Sequence, residues 1–211
     1  MKRNSIGFAI LALTLVAVAC SNPAKDKPKA TVAAPAAIQA APAGLPTLYA
    51  IAPASSKIEF VGSKVTGKHE GSFAQFTGSV NIPEGKVENA RIEIAIDTAS
   101  LAIEPEKLAG HLKSPDFFDV GQFPKATFTS TGIAPAGTPN TFTVTGNLTL
   151  HGVTKAISFP TSVVLTDRDL KANSEFSINR KDFGLVYPGM PDDLIRDEVL
   201  IKLTIAAPKG A

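Results

Sequence analysis

The sequence predicts an all-β domain with one short helical insertion. Eight short segments alternate apolar and polar residues at the period of two that gives a β-strand one apolar face. Glycine, proline, asparagine and aspartate residues separate these segments, as expected for turns. The eight predicted strands are Lys57–Phe60, Phe73–Ile82, Arg91–Asp97, Ala126–Thr131, Thr141–Leu150, Ala156–Leu165, Leu170–Asn179 and Glu198–Ala206.

Two local irregularities refine this pattern. The spacing from Phe73 to Phe76 breaks the period of two, which predicts a kink or bulge in the second strand. His151 and Gly152 separate two strongly alternating segments, so we predict a turn there and no ligand role for the histidine.

The helical insertion lies between the third and fourth strands. Pro105 precedes Glu106–Lys113, a run made mostly of helix-forming residues, with proline where the start of a helix tolerates it. Ser114, Pro115 and Asp116 resemble a second helix start, with serine as the N-cap. We therefore expect the aromatic residues that follow to lie on a short helical turn.

Eight antiparallel strands with one apolar face close into a barrel or pack as a sandwich. An eight-stranded barrel is either filled by its own side chains or holds one small ligand. Several residues predicted to point inward are small, which fits a tapered, filled barrel and an apolar hole equally well. These small residues are Ala126, Ser130, Gly146, Ala172 and Ser174.

The N-terminus carries the features of a secretory leader. Lys2 and Arg3 precede an apolar run, Ile6–Ala19, that is too short to span a bilayer as a helix. The residues Ala17–Cys20 resemble the lipobox of bacterial lipoproteins, whose mature N-terminal cysteine is acylated. We therefore predict a lipoprotein signal peptide at residues 1–19 and lipidation of Cys20, and Ser21 after the cysteine favours the outer membrane. The alternative is an ordinary secreted protein with Cys20 as a free thiol.

Composition divides the remaining chain into two parts. Residues 20–47 are rich in alanine, proline and lysine and show no apolar periodicity, so we predict a disordered tether. Residues 48–209 have the length and apolar content of one domain. Loss of Lys2 and Arg3 with the leader takes the formal charge from +2 to zero, which argues against nucleic-acid binding.

Catalytic and metal-binding patterns are not apparent in the sequence. His69, His111 and His151 are the three histidines, and none stands in a metal-ligand spacing. Cys20 is the single cysteine, so no internal disulfide and no cysteine metal site can form. We predict no catalytic residue and no metal; the remaining enzymatic alternative pairs His111 with Asp116 or Asp119.

An ordered set of motifs resembles the YceI-like proteins, which are lipid- or polyisoprenoid-binding periplasmic domains. The resemblance covers about residues 48–206, and its strength comes from the order of the motifs rather than from any one of them. The motifs are Ser56–Phe60, Gly71–Gly78, Leu112–Asp119, Phe123–Phe128, Gly146–Thr154, Arg180–Leu185 and Asp197–Val199. The segment Tyr187–Arg196 departs from the family pattern, and we expect it to shape the mouth differently.

The resemblance implies a lipocalin-like, eight-stranded antiparallel β-barrel that holds an isoprenoid chain in an apolar tunnel. Its bound molecule would be a polyprenyl lipid or an isoprenoid quinone, with no other cofactor. The residues predicted by resemblance to line the tunnel are Phe60, Phe73, Phe76, Ile92, Ile94, Leu112, Phe117, Phe118, Phe128, Phe142, Val144, Leu148, Phe159, Phe176, Ile178, Phe183, Val199 and Ile201.

The leading hypothesis is a non-catalytic carrier of a long isoprenoid lipid, anchored in the periplasm through Cys20. In this hypothesis His111–Phe128 caps the barrel and presents Phe117 and Phe118 to the interior. The alternative is a filled barrel that serves as a structural or stress-response scaffold without a lipid. The oligomeric state, including a homodimer, stays open.

Overall fold

A computed structural model describes residues 22–38 and 46–210, so the predicted signal peptide and Cys20 lie outside the described residues. Most of this part of the chain is antiparallel sheet, with one α-helix, α1 (Glu106–Lys113). The strands are β1 (Thr31–Ala33), β2 (Pro46–Ile51), β3 (Lys57–Ser63), β4 (Lys68–Phe73), β5 (Phe76–Pro83), β6 (Arg91–Asp97), β7 (Leu101–Ile103), β8 (Lys125–Pro135), β9 (Thr141–Leu150), β10 (Val153–Leu165), β11 (Asp169–Asn179), β12 (Gly189–Met190), β13 (Asp193–Leu194) and β14 (Glu198–Pro208).

The main sheet curls into a barrel. Its order along the hydrogen-bonded ladder is β2, β5, β6, β8, β9, β10, β11, β14, β3, β4 and β7. The consecutive strands β2 and β3 are parts of one bent strand, and they pair with β5 and β14 respectively. The strands β4 and β5 form a second bent strand, and β6 and β7 a third, so eight bent or straight strands close the ring. The predicted eight-stranded antiparallel barrel is confirmed.

The bends in these three strands lie beside one another. The break between β4 and β5 comes at residues 74–75, where the Phe73–Phe76 spacing predicts a kink. Backbone groups hold it to the 3₁₀ turn Thr98–Ser100 that separates β6 from β7: Ala74 N donates to Ser100 O at 3.1 Å, and Asp97 N donates to Gln75 O at 3.0 Å. The sheet therefore folds along a crease that crosses neighbouring strands.

The helical insertion matches its predicted bounds, but the segment after it differs from the prediction. Residues 114–118 form a hydrogen-bonded turn instead of a second helix, with Phe117 N donating to Ser114 O at 3.0 Å. The Ser114 hydroxyl donates back to the His111 carbonyl at 2.8 Å, so it closes α1 more than it opens a new helix. In the described ranges no helix is long and apolar enough to cross a membrane.

Part of the predicted tether is an ordered part of the barrel wall. Residues 24–33, here called the N-terminal strap, include β1, which pairs antiparallel with β10 at Ala156–Ser158. The strap also bonds to β11: Ala30 N donates to Ser177 O at 2.8 Å, and Ser177 N donates to Pro28 O at 2.9 Å. Composition indicates whether a segment can form a hydrophobic core by itself. The strap forms no core of its own, but it packs onto the core of the barrel. The prediction of a disordered tether is therefore wrong for these residues.

The strap fills a place where two strands separate. The strands β10 and β11 pair only between Ser162–Leu165 and Leu170–Asn173, near their shared turn. Beyond that point they diverge, and residues 28–33 enter between them. Ala30 is 4% exposed and belongs to the same buried cluster as Phe176 and Ile178 of β11.

Candidate functional site

The barrel encloses a cavity of about 750 Å³ that is lined almost entirely by apolar side chains. This volume lies within the range of about 300–1,000 Å³ that is typical of sites for small organic ligands. The interior is therefore open rather than filled by its own side chains.

Most residues that the sequence analysis assigned to a tunnel do line this cavity. The lining residues among them are Phe60, Phe73, Ile92, Ile94, Leu112, Phe117, Phe118, Phe128, Val144, Leu148, Phe159, Phe176, Ile178, Val199 and Ile201.

Three predicted residues lie outside the lining. Phe76 is buried in a second apolar cluster with Tyr49 and Ile51 of β2, and Phe142 packs on the same cluster. Phe183 is fully buried in the 3₁₀ turn that follows β11, so no strand turns it toward the cavity. Their placement corrects the predicted lining, because alternation assigns a face but not a position along the barrel axis.

Aromatic rings form one wall of the cavity. Phe159 and Phe176 stack with centroids 4.2 Å apart and planes 11° apart, and Phe128 lies 5.7 Å from Phe159. Gly146 makes room for this group, since a Cβ there would overlap the Phe128 ring and the Thr129 carbonyl. A ligand in the cavity would therefore meet ring faces and aliphatic chains and few polar groups.

The mouth lies at one end of the barrel. The exposed residues among those that line the cavity are Pro105, Lys107 and Met190, which belong to α1 and its N-terminal boundary and to the β12–β13 hairpin. The lining away from this end is buried or half-buried and apolar, as at Ile82 and Leu170. A ligand therefore enters and leaves beside α1 and this hairpin.

The turn after α1 covers part of the mouth with two adjacent phenylalanines. Phe117 packs with its ring centroid 5.1 Å from His111 and 5.2 Å from Tyr187. Phe118 points the other way and meets Phe73 edge to face at 5.8 Å. The two rings thus join the cap to both sides of the barrel opening, and the aromatic segment singled out in the sequence does lie over the cavity.

His111 is a structural part of this cap. Its Nε2 lies 3.0 Å from Asp116 Oδ2, and its ring also meets Tyr187 edge to face at 5.0 Å. Both members of this pair are more than a third exposed. In the described ranges no group of three His, Cys, Asp or Glu side chains is placed to hold a metal ion.

Arg180 organises the loop that forms the other side of the mouth. Its guanidinium is 4% exposed and donates to the carbonyls of Leu185 at 2.5 Å, Arg196 at 3.1 Å and Ile195 at 3.4 Å. Burial lowers the pKa of Arg180, and the Asp197 carboxylate, 3.5 Å away, opposes that shift. The side chain therefore fixes an irregular loop whose carbonyls would otherwise need other donors.

The β12–β13 hairpin is tied to the turn between β3 and β4. The Lys64 ammonium pairs with the Asp193 carboxylate, which also accepts from the Thr66 hydroxyl at 2.9 Å. The hydrogen bond from Lys64 holds the pKa of Asp193 below its usual value. Nearby, Ser63 lies in the cavity wall, and its buried hydroxyl has no hydrogen-bond partner among the described residues.

Several lining residues were not predicted from the sequence. Tyr187, Met190 and Ile195 reach the cavity from a segment without strand alternation, and Ile133 and Leu203 from strands whose other residues were recognised. The sequence did indicate that this loop is unusual, since Tyr187–Arg196 departs from the family pattern. That departure predicted a different mouth but not which of its residues line the cavity.

A closed antiparallel barrel around one large apolar cavity defines the class of lipocalin-like binding proteins. The family model for the YceI-like domain matches residues 49–207, and the chain belongs to this family. The resemblance noted in the sequence is thereby confirmed.

Known proteins extend this comparison. A UPF0312 protein of Pseudomonas putida is 35% identical over 125 residues, which are 56% of this chain and 65% of that relative's length. The structure of BcnA from Burkholderia cenocepacia is 29% identical, with a TM-score of 0.64 over 74% of this chain and 98% of that chain. A polyisoprenoid binding domain from Saccharophagus degradans, implicated in plant cell wall breakdown, has the same fold at 19% identity, with a TM-score of 0.63 over 77% and 98% of the two chains.

Proposed function

We propose that this protein binds a long isoprenoid lipid in its barrel and catalyses no reaction on it. The observation that carries the proposal is the apolar cavity of about 750 Å³ with a capped mouth beside α1. The bound molecule is a polyprenyl lipid or an isoprenoid quinone.

The energetics of the cavity suit such a ligand. Each methylene moved from water into an apolar site contributes about 0.8 kcal/mol, so a long hydrocarbon tail binds without a charged anchor. The aromatic wall around Phe159 and Phe176 offers that apolar environment.

The comparisons support the same ligand class. Membership of the YceI-like family and the fold shared with a polyisoprenoid binding domain both point to an apolar ligand. The arrangement of His111 and Asp116 supports a structural role over a catalytic one, because their interaction lies within the cap and no third His, Cys, Asp or Glu of the described ranges joins it to form a metal-binding group.

Location follows from the N-terminal sequence and forms part of the proposal. Acylation of Cys20 anchors the protein in the periplasm, at the outer membrane by the residue that follows. An anchored barrel would hold an isoprenoid near the membrane and shield it from water while it moves between sites.

Ligand extraction tests the proposal. The chain produced from residue 21 onward retains every residue that the structure describes. Organic extraction and mass spectrometry should recover an isoprenoid, and a polyprenyl alcohol or quinone at a hundredfold excess over Kd should raise the Tm by about 5–11 °C. Recovery of no lipid together with an unchanged Tm would contradict the proposal and favour the scaffold alternative.

A matched pair of variants locates the binding. Ala172 lines the cavity, and its neighbour Lys171 on β11 is exposed. Ala172→Phe should fill the cavity and abolish the ligand-induced rise in Tm, whereas Lys171→Phe should leave it intact. Equal effects of the two variants would place the ligand outside the barrel.

A further inference from the structure

Exposed apolar side chains are concentrated at the mouth. In the described ranges, seven large apolar residues are at least 50% exposed, and four of them lie beside the opening, in the β3–β4 turn and in the loop that carries β12 and β13. These four are Val65, Val186, Met190 and Leu194, here called the rim patch. The other three, Ile38, Leu48 and Val164, are dispersed over separate elements.

The rim patch is held together by backbone pairing. Val65 N donates to Leu194 O at 3.3 Å, and Lys64 forms a β-bridge with Ile195. Met190 pairs with Asp193 across the hairpin. Segments from two distant parts of the chain therefore present apolar side chains on one side of the opening.

Charged contacts fix the loops that carry the patch. Lys64 pairs with Asp193, and Arg180 holds the carbonyls of Leu185 and Ile195 on either side of the hairpin. These contacts keep the loops from folding their apolar side chains inward. The patch is thus held in place by contacts of the loop, and a contiguous exposed apolar patch is a feature of interaction sites.

The patch is continuous with the cavity. Met190 is 63% exposed and lines the interior, so its side chain bridges the outer surface and the ligand site. Ile195 and Tyr187 continue the lining inward from the same loop. An apolar ligand leaving the cavity across this rim would stay in contact with apolar groups.

The start of the described chain lies on the same half of the barrel. Ala24 packs against Val61 of β3 and Leu200 of β14, and Val61 is four residues from Val65. Residue 22, where the described segment begins, is two positions from Cys20. A membrane anchor at Cys20 would therefore hold this half of the barrel, and not the opposite end, close to a bilayer.

We propose that the rim patch is a docking surface for a lipid bilayer, against which the mouth of the barrel opens. Lys64 and Lys181 are engaged by Asp193 and Asp197, and the exposed Lys107 and Asp192 carry opposite charges. These positive and negative groups balance, so docking does not depend on anionic lipid. The docking goes beyond ligand binding, although it draws part of its support from the proposed lipid ligand. The predicted acyl chains supply attachment, and the patch supplies orientation.

Vesicle flotation with a matched control tests the docking surface. The chain from residue 21 onward, which lacks Cys20, is mixed with phosphatidylcholine vesicles, with and without phosphatidylglycerol. Val65→Ser combined with Leu194→Ser removes one valine and one leucine from the patch, and neither residue lines the cavity. Leu48→Ser combined with Val164→Ser removes the same residue types, at 51% and 52% exposure, away from the mouth.

We expect the patch variant to bind vesicles at least about tenfold more weakly than the parent chain and the control variant to match the parent. Binding should change little with phosphatidylglycerol or salt. Equal losses in both variants, no vesicle binding by the parent, or a patch-dependent dimer without vesicle binding would each overturn the proposal.

A second measurement separates this proposal from the lipid-binding function. Because Val65 and Leu194 lie outside the lining, the patch variant should keep the Tm rise produced by an isoprenoid probe in solution. If vesicle binding depends on the patch but no isoprenoid binds, the docking surface stands and the proposed ligand fails.

Discussion

Two junctions between neighbouring strands of the barrel, here called seams, differ in how their backbones are paired. Between β11 and β14, residues Asp169–Asn179 pair with Glu198–Pro208 along the whole length of both strands. Between β10 and β11, pairing stops after Ser162 and Asn173, and the strap completes the wall. One seam is a continuous ladder, and the other depends on a segment more than a hundred residues away in the chain.

The difference shows that a segment outside the alternating strands can complete the wall of a barrel. Where β10 and β11 diverge, their backbone groups need partners, since buried amides and carbonyls are costly to leave unpaired. Pro28 O and Ala30 N supply them to Ser177. The strap is therefore a structural part of the barrel wall, held by fewer backbone pairs than the β11–β14 seam.

Placing a charge under the strap should have the largest effect on this seam. Ala30→Asp buries a carboxylate beside Phe176, at a cost of about 3–5 kcal/mol for an uncompensated buried charge. Because the strap can leave the wall, we expect local detachment, with the Ser177 amide exchanging its hydrogen at least about tenfold faster.

Thr31→Asp is the matched control, because Thr31 is the next residue of the strap and is exposed. It should leave exchange at Ser177 unchanged. A fall in global stability with no local change at Ser177 would show that the strap opens only when the whole barrel unfolds, as the β11–β14 seam is expected to do.

An intermediate effect on stability is expected at the point where β10 and β11 separate. The Thr161 and Ser174 hydroxyls are buried and lie 2.7 Å apart, just beyond the last paired residues. Thr161→Val leaves the Ser174 hydroxyl without this partner and should lower the free energy of unfolding by about 1–3 kcal/mol.

A double-mutant cycle in urea checks this assignment. Combining Thr161→Val with Ser174→Ala should cost less than the sum of the two single changes, since both polar groups are then gone. If the two changes in unfolding free energy were strictly additive, this hydrogen bond would not stabilise the point where β10 and β11 separate.

The smallest effect is expected from the ion pair at the outer edge of the strap. Lys27 Nζ lies 2.7 Å from Glu175 Oε2, and both side chains are more than a third exposed, so solvent screens the attraction. Lys27→Gln should lower stability by about 0.2–1 kcal/mol in low salt and by less in high salt. Lys25→Gln serves as the control at a neighbouring exposed lysine, and an equal response would attribute the effect to net charge.

Sequence alternation predicted the strands well where one face is buried. Arg91–Asp97, Thr141–Leu150 and the helix Glu106–Lys113 have the bounds that the sequence predicts. A one-residue slip would turn every apolar side chain to the wrong face, so such segments carry a strong signal. The aromatic cap was also recognisable, because Phe117 and Phe118 follow a helix and stand outside any strand.

The features that sequence alternation did not predict depend on contacts between distant segments. The strap contributes small residues such as Ala30, whose burial depends on the opening between β10 and β11 and not on its own pattern. Phe142 stands on the same face of β9 as Val144, yet it packs in the other apolar cluster. A register shift between Ser130 and Gly132 of β8 and the crease in the neighbouring strands change which residues meet, and neither follows from period two alone.

The strap also sets an order of assembly. Its partner Glu175 lies 148 residues after Lys27, so the first part of the domain to be synthesised pairs with some of the last. The strap cannot pair until β10 and β11 are in place, and bringing such distant residues together is entropically costly. Although the strap is synthesised first, its place in the barrel wall therefore exists only once β10 and β11 have been made.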